Sequence, residues 1–308
     1  MVAHFPEGTP YMLSVEEARS NILGMFNPLD SERRSILDCM GQVLAEDVVS
    51  SMDIPPLDNS AMDGYVVRYD SIRDIGARGP VTLSVIGQVA AGELPHDVVV
   101  PDTAVRIMTG APIPEGADTV VPFEETDEFQ RKSEGAVTDQ ISAIQVVSEI
   151  SLGSNIRPAG QDIRNGQLAL SSGSVMRASE IGVAASLGRQ EVRVIRRPVV
   201  AIIATGDELL EPGEKRIDGK IYDSNSYGIC ASVLKYGGIP NFLGIAQDNL
   251  ESMNRKLEEG LLADMILTSA GVSKGDYDIV KDVLLSRGEI DFWSVRMRPA
   301  KPLAFGVL

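Results

Sequence analysis

The 308-residue sequence predicts a multi-domain α/β protein, and three features carry that prediction. The length exceeds what one hydrophobic core ordinarily serves, which favours two or three domains. From residue 199 onward, short apolar runs alternate with helical patterns, as in a parallel sheet of βαβ units. Between residues 81 and 147, strand-like runs are separated by frequent turns and prolines, which is typical of a small, barrel-like all-β domain.

The segment before the β region predicts helices. Ser14 and Glu17 have the spacing of a capping box, which predicts a helix over residues 15–26. A second short helix is predicted to begin at residue 30 or 31, and residues 43–49 are predicted to be extended. The apolar face of that second helix would be formed by Ile36, Leu37 and Met40.

A helix is predicted over residues 178–187, with Gly188 placed to end it. This helix could belong to the same domain as the N-terminal helices. If this helix packs beside the N-terminal helices, the β region is an insertion.

The charged stretch from Glu124 to Gln140 lacks periodicity and is predicted to be a solvated hairpin. The predicted domains are residues 1–50 plus 149–188 (split first domain), 51–148 (inserted β domain) and 189–308 (α/β domain).

The α/β part predicts alternating elements. Its strands are expected at residues 199–203, 241–245, 265–267 and 291–295. Its helices are expected near residues 226–236, 249–260 and 277–286. Such alternation indicates a parallel sheet, in which ligands bind at the carboxyl ends of the strands.

The composition limits the classes of function. A formal net charge of −16 without a basic tract argues against nucleic acid and anionic membranes as partners. No apolar run is long enough to span a membrane, and the N-terminus lacks signal-peptide features. The few cysteines and histidines argue against a disulfide framework, a zinc site and Ser-His-Asp catalysis. A reducing cytoplasm is the expected location.

Two glycine turns after predicted strands carry the chemistry of a binding site. Residues 205–208 (Thr-Gly-Asp-Glu) follow the first strand, and residues 273–278 (Ser-Lys-Gly-Asp-Tyr-Asp) follow the third. Because both lie at carboxyl ends of strands, one shared crevice is expected. Glycine turns that enter a helix direct backbone N–H groups at anions, and clustered carboxylates opposite a phosphate suit Mg²⁺.

Two other features have two interpretations on residue chemistry alone. The cations Lys281, Arg296, Arg298 and Lys301 either anchor a phosphate or oxyanion or are ordinary surface charges. The proline-shaped loop over residues 54–65 is either a surface turn or a carrier of site residues. The sequence has no GxxxxGK[ST] and no GxGxxG after a strand, so P-loop and Rossmann-type sites are poorly supported.

Five motifs occur in series along the sequence: residues 55–65 (PPLDNSAMDGY), 106–111 (RIMTGA), 205–209 (TGDEL), 271–278 (GVSKGDYD) and 301–306 (KPLAFG). Together they resemble the molybdopterin molybdenumtransferase family of molybdenum cofactor biosynthesis, which is related to the C-terminal domain of gephyrin. Any one motif is modest support, but five in order are specific.

The resemblance implies an architecture and a reaction. Members have an elongated, split first domain with an inserted β-barrel-like domain, a molybdopterin-binding parallel α/β domain and a C-terminal β domain. They form homodimers whose active-site cleft combines both subunits. The implied reaction inserts molybdate into adenylylated molybdopterin, a pterin, and releases AMP in a Mg²⁺-dependent step. The molybdopterin adenylyltransferase is a further partner that the resemblance allows.

The resemblance also implies roles for individual residues. The catalytic residues would be Asp63, Thr109, Asp207, Asp248, Asp276 and Asp278, with the first two reaching the cleft from the other subunit. Mg²⁺ would be held by Asp207, Glu208, Asp276 and Asp278. Substrate and anion would be bound by Thr205, Gly206, Gly271, Ser273, Gly275, Lys281, Arg298, Pro299, Lys301 and Pro302.

The sequence departs from the family pattern at several positions. Gln161 replaces a common Glu, while Ala270, Arg298 and Ala300 replace the more usual Gly, Lys and Gly. The sequence ends at Leu308, so the α/β domain is expected to be incomplete and the C-terminal β domain to be absent. Two alternatives stay open: a non-catalytic molybdopterin-binding or scaffold protein, and a Mg²⁺-dependent nucleotide pyrophosphate hydrolase.

Overall fold

The computed structural model describes residues 12–133, 141–269, 288–298 and 302–308. The chain divides into two compact units: Met1–Ala45 with Val192–Leu308, here called the α/β unit, and Glu46–Glu191, here called the β unit. The domain boundaries drawn from the sequence stay a prediction. None of the described helices is long and apolar enough to cross a membrane.

The elements are numbered in chain order. The strands are β1 (Met12–Leu13), β2 (Ser31–Ser35), β3 (Val48–Val49), β4 (Asn59–Ser60), β5 (Gly64–Val67), β6 (Val81–Val89), β7 (Thr103–Ile107), β8 (Thr119–Pro122), β9 (Ala143–Val146), β10 (Ile156–Arg157), β11 (Leu168–Leu170), β12 (Glu191–Ile195), β13 (Val199–Thr205), β14 (Leu209–Leu210), β15 (Ile221–Tyr222), β16 (Ile239–Ala246), β17 (Met265–Thr268), β18 (Glu289–Val295) and β19 (Pro302–Val307). The α-helices are α1 (Val15–Gly24), α2 (Tyr69–Ile72), α3 (Ile75–Arg78), α4 (Asp127–Ser133), α5 (Ala178–Ser186), α6 (Asn225–Lys235) and α7 (Leu250–Gly260).

The centre of the α/β unit is the predicted parallel sheet, with strand order β16-β13-β17. Residues 200–204 of β13 are all buried, as expected for a central strand covered on both faces. One cover is α7, whose Met253 and Leu257 pack with Ile203. The predictions of β13, β16, β17, α6 and α7 are confirmed, while the helix predicted at 277–286 lies outside the described residues.

The strand predicted at residues 291–295 forms, but the prediction that it joins the parallel sheet is wrong. It is β18, which pairs antiparallel with β19 and parallel with β1 in a separate sheet. Because the connection between β18 and β19 is short, closing it costs little chain entropy. Leu13, Ala18 and Val295 bury the contact with β1. The apolar pattern predicts an extended strand but does not identify its partner.

The first N-terminal helix is confirmed, and the second is wrong. The Glu17 N–H donates to Ser14 Oγ at 3.1 Å and the Ser14 N–H donates to Glu17 Oε2 at 2.7 Å, which completes the capping box of α1. Residues 31–35 instead form β2 and pair with β12. Leu37, on the predicted apolar face, is 79% exposed. Strand pairing therefore outweighs a weak local helix preference.

The β unit contains a five-stranded sheet with strand order β8-β5-β7-β6-β9. Its pairings are antiparallel except that of β6 with β7. Tyr65 and Val67 enter one apolar cluster and Val66 enters another, so both faces of β5 are covered. The small β region is confirmed. The helix predicted before Gly188 is confirmed as α5, and Gly188 adopts a positive φ of 70° after it.

The hairpin predicted over residues 124–140 is wrong in its described part. Phe123–Glu125 form a 3-10 turn and α4 follows, while residues 134–140 lie outside the described residues. The Gln145 N–H donates to Asp127 Oδ1 at 2.8 Å, so β9 holds the start of α4. A charged stretch without periodicity forms a docked helix here because side chains at its start and middle bond to β9, the next strand along the chain.

Candidate active site

The first group of site residues lies in the β unit, where β5 and β7 bring Asp63 and Thr109 together. Thr109 donates to Asp63 Oδ1 twice, from its N–H at 2.7 Å and from its Oγ1 at 2.8 Å. These two hydrogen bonds, backbone first, lower the pKa of Asp63, and the Arg106 charge adds to the effect. Asp63 is therefore an exposed carboxylate that stays ionised at neutral pH.

The chain beside Asp63 requires a glycine. A Cβ on Gly64 would lie 2.0 Å from the Val121 carbonyl oxygen, so β5 and β8 could not approach as they do with any other residue there. Gly110, after Thr109, has a φ of +82°, which other residues rarely adopt. The glycines of the two motifs thus serve the backbone geometry that presents the Asp63–Thr109 pair.

A surface pocket of about 250 Å³ adjoins this pair. It is lined by both proline-bounded loops and by a turn of the sheet: Pro56, Leu57, Asn59, Gly92, Glu93, Leu94, Gly110 and Pro112. Within the described residues the buried Oδ1 of Asn59 has no hydrogen-bond partner. The pocket therefore has a mainly apolar lining, and one of its lining residues carries this buried oxygen.

The segment with the Gln161 departure packs on the proline-shaped loop. The Ala159 N–H donates to Asp58 Oδ1 at 2.7 Å, and the Gly160 N–H donates to the Pro55 carbonyl at 2.9 Å. Arg157 and Asp162 pair at 2.7 Å. Gln161 itself is exposed. The segment thus supports the loop that leads to Asp63.

The second group lies in the α/β unit, at the carboxyl edge of the parallel sheet. Asp207 follows β13 and Asp248 follows β16, and each backbone N–H donates to the other side chain. The distances are 3.4 Å from Asp207 N to Asp248 Oδ2 and 3.2 Å from Asp248 N to Asp207 Oδ1. Both residues are exposed. Neighbouring strand ends therefore place two carboxylates side by side at the edge where ligands of parallel sheets bind.

The turn between β13 and Asp207 is also specific to glycine. Gly206 has a φ of +141°, and a Cβ there would lie 2.4 Å from Glu208 Oε2. The Glu208 carboxylate thus folds back over Gly206. Thr205, which ends β13, is half-buried and pairs in register with Ala246.

The described pair of Asp207, from the predicted metal set, and Asp248, from the predicted catalytic set, is compatible with Mg²⁺. Asp207 and Asp248 each use one carboxylate oxygen in their exchange, and Mg²⁺ commonly binds through one or two carboxylates together with substrate oxygens. Among the described residues, no group of three His, Cys, Asp or Glu side chains could hold a metal on its own. The donor set fits a metal held jointly with a substrate.

Sequence reasoning missed a buried acid close to this edge. Asp223 follows β15 and is 2% exposed; its Oδ1 accepts from the Ser226 N–H at 3.0 Å. Within the described residues, Asp223 Oδ2 and Ser226 Oγ have no hydrogen-bond partner. Since α6 leads back to the start of β16, its first turn lies at the carboxyl edge. The sequence feature that could have identified Asp223 is the run Tyr-Asp-Ser-Asn-Ser at residues 222–226, but similar polar runs begin many ordinary helices.

The remaining predicted residues are placed as follows. Arg298 is exposed after β18, and Pro302 begins β19, so both belong to the second sheet of the unit. The predicted residues outside the described part of the chain are Gly271, Ser273, Gly275, Asp276, Asp278, Lys281, Pro299 and Lys301. The structure thus brings Asp63 to Thr109 and Asp207 to Asp248.

Both regions match families of known proteins. Residues 13–188 match the MoeA N-terminal region (domain I and II), and residues 201–308 match the family described as a probable molybdopterin binding domain. Two structures of the molybdopterin biosynthesis MoeA protein from Pyrococcus horikoshii superpose with TM-scores of 0.76 and 0.78, at 29% and 28% identity. They cover 97% and 96% of this chain and 72% of each matched chain. The fold and the matched regions define a protein of the MoeA class.

Curated relatives define the family more narrowly. The molybdopterin molybdenumtransferase of Nostoc sp. is 36% identical over 96% of this chain and 67% of its own length. That of Haemophilus influenzae is 35% identical over 96% of this chain and 70% of its own length. The chain belongs to the molybdopterin molybdenumtransferase family.

Proposed function

We propose that this chain is an enzyme that inserts molybdenum, taken as molybdate, into adenylylated molybdopterin with Mg²⁺-dependent release of AMP. The observation that carries the proposal is the Asp207–Asp248 pair at the carboxyl edge of the parallel sheet. It lies in the region that matches the molybdopterin binding family. Membership of a transferase family supports the reaction class, and the paired acids support its metal dependence.

The Asp63–Thr109 pair and the Asp207–Asp248 pair would have different roles in the reaction. Asp63 already accepts two hydrogen bonds from Thr109, so this ionised carboxylate would accept N–H donors of the pterin rather than bind molybdate, which is an anion. Asp207 and Asp248 would hold Mg²⁺ with Glu208, Asp276 and Asp278. The bound ion would supply Lewis-acid polarisation of the phosphoanhydride.

Other residues would bind the anionic parts of the substrates. The backbone N–H groups around Gly206 and the glycine turn at residues 271–275 would bind phosphate oxygens, since such turns expose N–H donors. The cations Lys281, Arg298 and Lys301 would offset the charge of phosphate and molybdate. Asp223, the buried acid at the same edge, is a further candidate for orienting a substrate donor.

We further propose a homodimer in which Asp63 and Thr109 complete the cleft of the partner subunit, with the adenylyltransferase as a second partner. The predicted division into a split first domain, an inserted β domain and an α/β domain belongs to this proposal. Sedimentation velocity on the full chain tests the dimer. A strictly monomeric species that turns over would contradict a cleft shared between subunits.

The central experiment is a turnover assay with the full 308-residue chain. Adenylylated molybdopterin, Mg²⁺ and molybdate are supplied, and AMP and molybdenum cofactor are both measured. Asp207→Asn removes one carboxylate of the pair at constant size, while Glu251→Gln, an exposed acid on α7, is the matched control. We expect molybdate-dependent AMP release that Asp207→Asn lowers at least tenfold and the control leaves unchanged.

Two outcomes would favour the alternatives. Binding of the pterin without AMP release would point to a molybdopterin-binding scaffold. AMP release that is indifferent to molybdate and to the identity of the pterin would point to a Mg²⁺-dependent pyrophosphate hydrolase. Either outcome would refute the proposed transfer by this chain.

A further inference from the structure

The β unit contains a buried acid that the proposed reaction does not use. Glu128, on α4, is 1% exposed, and both of its carboxylate oxygens have donors. The Tyr65 hydroxyl donates to Oε2 at 2.6 Å, and Arg106 Nη2 donates to Oε1 at 2.8 Å. A buried carboxylate is tolerated when it is paired and fully hydrogen-bonded, as this one is.

The two donors lie on the strands that present the Asp63–Thr109 pair. Tyr65 on β5 and Arg106 on β7 are direct partners in the antiparallel register. Tyr65 is two residues beyond Asp63, and Arg106 is three residues before Thr109. One carboxylate therefore ties together the two strands within one or two residues of the point where they leave the sheet toward the site.

The position of Glu128 is itself fixed from another strand. Asp127 accepts a hydrogen bond from the Gln145 N–H at 2.8 Å, and Arg131 donates one to the Ala143 carbonyl at 3.1 Å. These two bonds, on either side of Glu128 in the sequence, hold α4 against β9. Burial and the hydrogen bond to Glu128 raise the pKa of Tyr65, so its hydroxyl remains protonated and donates. The Glu128 carboxylate is thus a fixed point rather than a mobile counter-ion.

We propose that Glu128 is a positioning residue for the site: by holding the Arg106 guanidinium and the Tyr65 hydroxyl, it sets the geometry and charge around the Asp63–Thr109 pair. This rests on the proposed role of that pair. Arg106 is also close enough to act on the Asp63 charge. With Glu128 neutral, the guanidinium would lose its compensating charge, and its attraction for the Asp63 carboxylate would no longer be offset by Glu128.

The test compares Glu128→Gln, which keeps the shape and removes the charge, with Glu124→Gln, an exposed acid nearby in the sequence. The readouts are kcat, KM for the pterin, and the Asp63 pKa from carboxyl-carbon NMR of the full chain. For Glu128→Gln we expect kcat to fall about tenfold with KM changed less than about threefold, and the Asp63 pKa to fall further. Glu124→Gln should match the wild type in all three.

A second variant covers failure of Glu128→Gln to fold. Glu128→Gln with Arg106→Gln replaces the ion pair by neutral partners of similar size, so no charge stays buried alone. Its Asp63 pKa should rise above that of the wild type, because the guanidinium is gone. A wild-type kcat and an unchanged Asp63 pKa in whichever variant folds would overturn the proposal.

The same measurements separate this inference from the proposed function. If Asp63→Asn keeps full turnover, the proposed role of Asp63 is wrong, whatever the NMR titration of Glu128→Gln gives. If Asp63→Asn is inactive while Glu128→Gln behaves as wild type in kcat and Asp63 pKa, only the positioning role of Glu128 is refuted.

Discussion

Gly64→Ala tests how tightly the sheet is built next to Asp63. The new Cβ would lie 2.0 Å from the Val121 carbonyl oxygen and 2.8 Å from Pro122 Cα, and both are backbone atoms that cannot rotate away. β5 is paired with β8 on one side and β7 on the other, so the backbone must separate from β8. The Asp63 carboxylate would move with it.

The expected cost follows from two contributions. Overpacking of a close contact costs about 1–3 kcal/mol. Loss of one or two ladder hydrogen bonds adds about 1 kcal/mol each. We therefore expect the free energy of unfolding to fall by roughly 3 kcal/mol, a substantial share of the ~5–15 kcal/mol typical of folded proteins.

The assay is urea unfolding of the full chain followed by circular dichroism, with turnover measured on the folded protein. Gly182→Ala is the matched control, because Gly182 lies inside α5 and a Cβ there meets nothing within 4 Å. Alanine should stabilise that helix by up to ~1 kcal/mol. An unchanged midpoint and slope for Gly64→Ala would refute the close approach of β5 and β8.

Three further predictions test separate contacts. Asp207→Asn should lower the affinity for Mg²⁺ in calorimetric titrations with substrate present, yet change stability little because the side chain is exposed; equal affinity would remove Asp207 from the metal set. Thr109→Val should raise the Asp63 pKa in NMR titrations while Thr109→Ser leaves it low, since only valine removes the donating hydroxyl; a low pKa in both would leave the backbone N–H and the Arg106 charge as the causes. Asp264 has a lowered pKa in the folded protein because the Arg196 guanidinium binds its carboxylate. The stabilisation of the folded state by this ion pair is therefore fully present above the pKa that Asp264 has in the unfolded chain, and it is lost as the pH falls through the lower pKa of the folded state. The melting-temperature difference between wild type and Asp264→Asn should therefore shrink as the pH falls below about 4, and a constant difference would contradict the linkage.

The predictable parts of the fold are those that local pattern determines. The buried run of β13 and the alternation that follows it predict the parallel sheet, because a strand covered on both faces must be apolar along its length. The segments 31–35 and 124–133 were misassigned because their structure depends on partners elsewhere: β12 for the first, and β9 for the second. No periodicity within those segments encodes these partners.

The residues of the candidate site also differ in whether a local sequence pattern could identify them. Asp63, Thr109 and Asp207 lie within the motifs that carry the family resemblance, whereas Asp248 lies on a loop outside them, and the resemblance supplies the catalytic role predicted for each. Asp223 and Glu128 were missed because they are two among 44 acidic residues, and what distinguishes them is burial. Burial of a single acid is a property of tertiary packing, which one sequence does not show.

The described carboxylates indicate how an acidic protein could handle anionic substrates. Asp63 has two hydrogen bonds from Thr109 on one oxygen and lies near Arg106, so it remains an anion without a metal. Among the described residues, the hydrogen bonds given for the Asp207 and Asp248 carboxylates are the longer ones of 3.2 and 3.4 Å from each other's backbone N–H. Two adjacent carboxylates with such weak internal compensation favour a cation between them, because like charges at short range repel. This contrast supports the proposal that Mg²⁺ would be held at the Asp207–Asp248 pair, while Asp63 would accept hydrogen bonds from N–H donors of the pterin.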